Sequence, residues 1–516
     1  MSDLLVLPAP LPPRSSKVGQ RLRAALLVAL VAASVLRVAA IGRRSLWFDE
    51  ILSITNATGG AVGESIVGSD GTATFVPADL WRQDTVPNVL GTLTWQDNGN
   101  GVVYGLLLHW WVSVFGAGDA VVRLPSAIAG VVVVVMVYRL GLLLFTPAVA
   151  RSAALLALIH PLLIRYSQEA RSYALATALT LIATECLLRL PVNAQRSPIR
   201  SGLGYGALAG AALLTHYLTA SVFLAHGALA VARVRDGRAW KALLVAAMTA
   251  AVVVAVWMPL GGTEGLGRIA NANAAYRHEA LAGDEFARPS ELRHVAEGIV
   301  QMTTAMSGIA LQAAGLRLRY LAFVLALPLV VIAGGLVSQR LAGRSDSAAA
   351  VATLAASAPV CGLILAVRAG HVLPFQALYG NFATPYVLLL LGAGLVAAFP
   401  GTAGRWSWHA PAALAFLAVF FVSATIPYRD LPWVRPSNPY AEVAHGIARA
   451  AVPGDLVSFR TDPDARLVTL HLPVGVTVTE RVDPGQAEDV LLRRAGVAQH
   501  QWTVPRYLWL ARWEGQ

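Results

Sequence analysis

Eleven apolar stretches recur along the chain, most of them close to the helix length that crosses about 30 Å of hydrocarbon. They lie near residues 24–42, 122–145, 150–166, 172–190, 202–215, 217–234, 242–260, 318–338, 349–368, 382–399 and 409–427. A chain that is 56% hydrophobic and 13% charged over 516 residues cannot be an ordinary water-soluble domain. The pattern predicts an all-α polytopic membrane protein. Lys and Arg outnumber Asp and Glu by 40 to 29. In such a chain that excess belongs to basic cytoplasmic loops rather than to a nucleic-acid surface. Cys186 and Cys361 both fall inside apolar runs, where a thiol behaves as a small hydrophobe, so no disulfide framework is implied. The Pro-rich basic start, residues 1–23, reads as a cytoplasmic tail ahead of an uncleaved first span.

A twelfth run, "GVVYGLLLHWWVSVFG" at 101–116, is short, Gly-bounded and carries His109, Trp110 and Trp111 at its middle. Loop charges decide how to read it. If it lies flat on the surface, the loops holding Arg139 and Arg151, Arg189 to Arg200, Arg233 to Lys241, Arg340 and Arg344, and Arg405 all fall inside. If it crosses, all of them flip outward. The flat reading puts the N-terminus inside and the C-terminus outside. The outer face then receives a first loop (43–121), a second loop (260–317) and a C-terminal tail (428–516), with the transmembrane domain covering 24–427.

Three polar clusters fall on that outer face. The first, "RRSLWFDEILS" at 43–53, places Asp49 and Glu50 directly after the first span. Ser45 ahead of two acids also fits a plain helix cap, in which the carboxylates complement the dipole. The second cluster holds Gln168, Glu169, Arg171 and Tyr173, preceded by Arg165 and Tyr166. Arg165 and Glu169 are spaced by four and would form an ordinary ion pair on one helix face. The third is Thr215, His216 and Tyr217. Arg37 lies within the first apolar run, where a charge is a functional candidate or a side chain snorkelling to the headgroups. Carboxylates able to serve as a base, set beside arginines able to hold a phosphate, are the parts of glycosyl transfer from a lipid phosphate.

At these residues the chain resembles the integral-membrane glycosyltransferases of the C-type (GT-C) fold. The nearest branch contains the dolichyl-phosphate-mannose protein mannosyltransferases and the bacterial aminoarabinose transferases, which are similar to glycosyltransferase family 39. The matching pieces are "SLWFDEILS", "AVVRLPSAIAG", "HPLLIRYSQEARSYAL" and "LLTHYLTASVFLAHGAL", spread over roughly residues 30–260. The resemblance implies a polyprenyl-phosphate-sugar donor, an inverting single displacement and a catalytic acid in the first outside loop. It makes Asp49 the base, Glu50 a supporting acid, and Glu169 the second acidic position. The acceptor is a glycan, lipid or protein, at the outer face of the cell membrane, with membrane lipids as the remaining partners. Ala-, Val- and Arg-rich composition with few lysines suggests a high-GC bacterium, for which mannose or arabinose is the expected sugar by analogy alone.

Two departures from the family pattern stand out. Where many relatives carry a His-Pro-Pro-Leu-Tyr type stretch, this chain has "DNGNGVVYG", so Asp97, Asn98 and Asn100 replace the imidazole and the prolines. Where many place an Arg-Tyr pair at a late span, it has Asn381 and Phe382, which leaves Arg368, His371 or Arg277 as substitutes for gripping the donor phosphate. The second loop reads as amphipathic helices, either a cover for the site or a connector. The tail pairs a helical stretch at 438–450 with a Gly-Asp turn into a strand, and "DARLVTLHLP" and "RYLWLARW" alternate like strands, predicting a small extracytoplasmic α/β domain. No cofactor is expected. A divalent metal is not favoured, because adjacent acids do not make a bidentate clamp and no His- or Cys-rich spacing is present. Two rivals are a lipid or polysaccharide transporter, for which no inverted symmetry is visible, and a glycan ligase or polymerase, which would need a large late loop.

Overall fold

The computed structural model describes residues 31–39, 41–42, 46, 48–59, 72–75, 84–282, 288–309, 318–399, 409–429, 439–450, 456–459, 477–481, 489–494 and 497–503, together with Val28, Val452 and Leu472. The N-terminal tail, Arg43, Arg44, Ser45, Trp47, Arg405, most of "DARLVTLHLP" and all of "RYLWLARW" lie outside the described residues.

Helix α1 (31–38) leads into α2 (Phe48–Thr58), which carries Asp49 and Glu50 in its first turn, where carboxylates complement the helix dipole. Two short helices follow, α3 (Val86–Gln96) and α4 (Val102–Phe115). The turn between them holds Asn98 at φ 52°, Gly99 at 72° and Gly101 at 80°, a left-handed run that glycine and asparagine accept readily. With 14 residues, α4 is shorter than the roughly 20 that a crossing needs. Its Trp110 is 60% exposed, whereas His109 is buried with Nδ1 2.7 Å from the Ala57 carbonyl.

The bundle proper begins with α5 (Asp119–Leu144), α6 (Pro147–Ile159) and α7 (Pro161–Ser167), then α8 (Tyr173–Arg196), α9 (Pro198–Thr215), α10 (Ala220–Arg233) and α11 (Gly237–Trp257). Proline opens α6, α7 and α9, and the residue before it caps each one: Thr146, His160 and Ser197 accept the backbone N–H of Val149, Leu163 and Arg200. Next come α12 (Gly262–Ala282), α13 (Leu292–Met306), α14 (Leu318–Leu341), α15 (Ser345–Ala369), the short α16 (Ala377–Gly380), α17 (Thr384–Ala398) and α18 (Ala410–Arg429). Among the described residues, four helices have the length and apolarity of a membrane span: Asp119–Leu144, Tyr173–Arg196, Gly237–Leu260 and Ser345–Ala369. The α6–α7 pair, bent by 57°, makes a fifth. The run expected at 382–399 forms a shorter apolar helix, Thr384–Ala398, whose residues are nearly all buried among neighbouring helices.

Close packing follows small residues. Gly202, Gly206 and Gly210 recur every four residues on α9, and a Cβ on Gly202 would come 2.5 Å from the Ala242 carbonyl of α11. The α6–α7 break has its own arrangement. Pro161 has no N–H, so the Ala157 carbonyl lacks its helical donor, and Arg37 supplies one from Nη2 at 3.2 Å. Arg37 also donates to the Leu158 carbonyl and to Ser167 Oγ. Gly130 makes room, since a Cβ there would overlap the Ser167 hydroxyl and stand 3.0 Å from Arg37 Nε.

The tail contributes α19 (Pro439–Ala450) and strands β2 (Leu456–Phe459), β3 (Thr477–Arg481), β4 (Asp489–Arg494) and β5 (Val497–Thr503). The five-stranded sheet has the order β1-β3-β2-β4-β5, and its edge strand β1 (Thr72–Phe75) comes from the first loop, where no strand was expected. β1 runs antiparallel to β3, with Thr72 opposite Arg481 and Phe75 opposite Val478. β2 is parallel to β3 and antiparallel to β4, which pairs in turn with β5.

Candidate active site at one end of the bundle

The start of α2, the α7–α8 turn, the α3–α4 turn and the α9–α10 junction meet at one end of the bundle. Arg171 stands at the centre. Its Nη1 donates to Asp97 Oδ2 at 3.1 Å, to Ser53 Oγ at 3.3 Å and to the Asp49 carbonyl at 3.4 Å, while Nε lies 4.0 Å from Asp49 Oδ2. That Nε has no hydrogen-bond partner among the described residues. The guanidinium therefore bridges two carboxylates and keeps one donor for something else. Asp49 is 27% exposed at its side chain, open enough to meet a substrate. Burial raises its pKa above the ordinary aspartate value, with Arg171 opposing and Asp97 adding to the rise. Arg171 stays firmly protonated: its burial works against the charge, but Asp97 and Asp49 outweigh it.

Glu50 faces the other way. Fully buried, it accepts from Arg123 Nε at 2.7 Å and Nη2 at 2.6 Å, and from the Ala170 N–H at 2.8 Å. Arg123 Nη1 reaches the Ile41 carbonyl at 2.7 Å. The pair ties α2, α5 and the 168–172 turn together. Glu169 forms the ion pair with Arg165 that its spacing suggested, at 2.9 Å, and is itself buried.

The third cluster holds the turn. The Tyr217 hydroxyl donates to the Gly99 carbonyl and its N–H to Asn100 Oδ1 at 3.1 Å. His216 accepts the Leu218 N–H through Nδ1 and stacks among Tyr173 at 5.3 Å, Phe382 at 4.9 Å and Tyr379 at 6.1 Å. Burial drives the His216 pKa down to about 3, so the ring is neutral. Arg171 lies 5.8 Å from the Tyr173 ring, closing an aromatic wall behind the charged centre.

Residues 100–260 match the family model described as dolichyl-phosphate-mannose-protein mannosyltransferase. Among solved structures, ArnT from Cupriavidus metallidurans bound to undecaprenyl phosphate aligns with a TM-score of 0.54 at 14% identity, over 88% of this chain and 85% of that one. Its apo form gives 0.53 at 13% identity over the same shares. The chain has the GT-C fold. No curated protein matches it by sequence.

Within this GT-C bundle, Asp49, Asp97, Arg171 and Tyr173 come together as the sequence suggested. Other expected contacts do not. Arg37 donates to helix carbonyls, and Gln168 donates to the Leu36 carbonyl at 3.0 Å. Asn98 serves through its left-handed backbone. Arg277 caps α15 through the Arg368 and Ala369 carbonyls, both at 2.9 Å, and His371 pairs with Asn273 Oδ1 at 3.2 Å. Arg368 is exposed. Asn381 donates to Thr177 Oγ1 at 2.8 Å. Sequence reasoning missed Arg123, Ser53 and Asn56. Arg123 could have been found by the intramembrane-charge rule that singled out Arg37.

Proposed function

We propose that this chain is a membrane glycosyltransferase that moves a sugar from a polyprenyl-phosphate donor to an acceptor hydroxyl, with Asp49 as general base. The carrying observation is the accessible Asp49 carboxylate 4.0 Å from a buried arginine that keeps an unpartnered Nε. In the reaction the acceptor oxygen attacks the anomeric carbon and Asp49 takes its proton. The bond from that carbon to the phosphate oxygen breaks, and the polyprenyl phosphate leaves with the electron pair, inverting the centre. Arg171 neutralises the departing phosphate through its planar fork. Its guanidinium already stands between Asp49 and Asp97, filling with the chain's own charge the place of a bridging cation. The matched mannosyltransferase model and the undecaprenyl phosphate in the ArnT structure support this choice of donor. The reading places the site on the extracytoplasmic face, following the loop charges, and takes mannose or an arabinose as the sugar.

The test is transfer in proteoliposomes supplied with radiolabelled polyprenyl-phosphate mannose or arabinofuranose and cell-envelope glycan as acceptor. Asp49→Asn is expected to fold normally and to lose transfer; full activity in that variant sinks the assignment. Glu169→Gln is expected to lower turnover severely, whereas unchanged kinetics make its pairing with Arg165 purely structural.

A further inference from the structure

Asn56 lies on α2 seven residues beyond Asp49, two helical turns or roughly 10 Å deeper along the same face. It is 1% exposed, yet neither its amide nitrogen nor its amide oxygen has a hydrogen-bond partner among the described residues. Buried polar atoms left this way are uncommon in folded proteins and call for an occupant. Asn56 lines a small cavity, partly open to solvent, whose other walls include Ser53, Asp97, Tyr104, Arg171 and Ser172. It has room for a group the size of one water or one hydroxyl, so a larger molecule would enter it by a single hydroxyl.

The donor inventory narrows the chemistry. An amide offers donors and an acceptor side by side, which complements a hydroxyl, itself both donor and acceptor; a phosphate only accepts. Arg171, whose Nε has no hydrogen-bond partner among the described residues, lines the same cavity, and a guanidinium complements an anionic oxygen. Cation and amide together match a hydroxylated ring carrying a phosphate. The separation from Asp49 excludes the attacking hydroxyl, which must lie within hydrogen-bond reach of its base.

We propose that Asn56 is a specificity-determining residue that binds a ring hydroxyl of the donor sugar while Arg171 holds the phosphate on the same ring. This rests on the reading of the site as that of a polyprenyl-phosphate-sugar transferase. An ordered water is the other guest such a pocket would hold.

The test compares full-length protein in nanodiscs binding synthetic decaprenyl phosphate, decaprenyl-phosphate mannose and decaprenyl-phosphate arabinofuranose, read by tryptophan fluorescence. Wild type is expected to bind at least one glycolipid about tenfold more tightly than the bare lipid phosphate, as one buried hydrogen bond of ordinary strength implies. Asn56→Leu, similar in volume and without the amide, is expected to erase that preference while the bare-lipid Kd stays within twofold. If Asn56→Leu does not fold, Asn56→Ser serves, with the preference reduced. Equal binding of all three lipids by wild type overturns the inference. So does a preference that survives in Asn56→Leu, and a survival accompanied by a higher melting temperature identifies the occupant as water. Loss of transfer in Asp49→Asn alongside an unchanged Asn56→Leu preference sinks only the subsite and leaves the transferase reading standing.

Discussion

Glu50→Gln isolates what the buried ion pair does. The carboxylate is fully buried and Arg123 is 2% exposed, so the substitution removes the carboxylate that lies 2.6 Å from that guanidinium. The side chain keeps its shape, but its amide nitrogen must face one of three donors, Arg123 Nε, Arg123 Nη2 or the Ala170 N–H. Removing one partner of a buried pair costs about 3–5 kcal/mol, because the remaining charge loses its paired carboxylate. The double variant Glu50→Leu/Arg123→Met behaves differently, since replacing both charges with apolar groups is commonly neutral or better. It still leaves the Ala170 N–H and the Ile41 carbonyl without these partners, at about 1–3 kcal/mol each. The double variant is therefore expected to melt below wild type and to cost less than its two single changes summed. The assay is tryptophan-monitored thermal melting and denaturant titration in detergent, analysed as a double-mutant cycle. A Glu50→Gln cost below about 1 kcal/mol, or a double variant as unstable as the two single changes summed, refutes the claim that this pair anchors the 168–172 turn.

Three further outcomes follow from the site. The deprotonated form of Asp49 is the active base, and burial raises its pKa, so kcat/KM should climb with pH along an acid limb lying above the ordinary aspartate range. Asp97 contributes to the rise, so Asp97→Asn should move that limb to lower pH, and an unmoved limb counts against Asp49 as the base. Arg171→Lys replaces a fork that reaches Asp97, Ser53 and the Asp49 carbonyl at once; steady-state kinetics should show kcat reduced about 10²–10³-fold, the scale of losing one preorganised charge stabiliser. Gly130→Ala forces a methyl into the space shared by Ser167 and Arg37, and melting should show about 1–3 kcal/mol of destabilisation from overpacking.

Long apolar runs are legible in sequence because the period and length of a membrane helix are local properties, and most expected runs lie on observed helices. The convergence of Asp49, Arg171 and Tyr217 on one end was readable too, since each sits at a helix terminus whose side the loop charges fix. Partner identity was not. Arg37 looked like a site residue until its fork was seen to serve the carbonyl that Pro161 leaves without a donor, 120 residues away. Asn56 resembled an ordinary polar residue of a short amphipathic helix, and only its burial exposes the missing partners. The strand at Thr72–Phe75 had no local signature, because its ladder is made with residues some 400 positions later.

That ladder carries a counting rule. Two strands that exchange backbone hydrogen bonds lie in the same compartment, since an open sheet does not extend through hydrocarbon. Whatever path the chain takes from Phe75 to Thr477, it traverses the bilayer an even number of times. The ten apolar runs that follow the first one satisfy this parity. Promoting Val102–Phe115 to an additional crossing violates it. A reporter fused after Gln516 and one inserted in the first loop are bound to report the same side, whichever side that is.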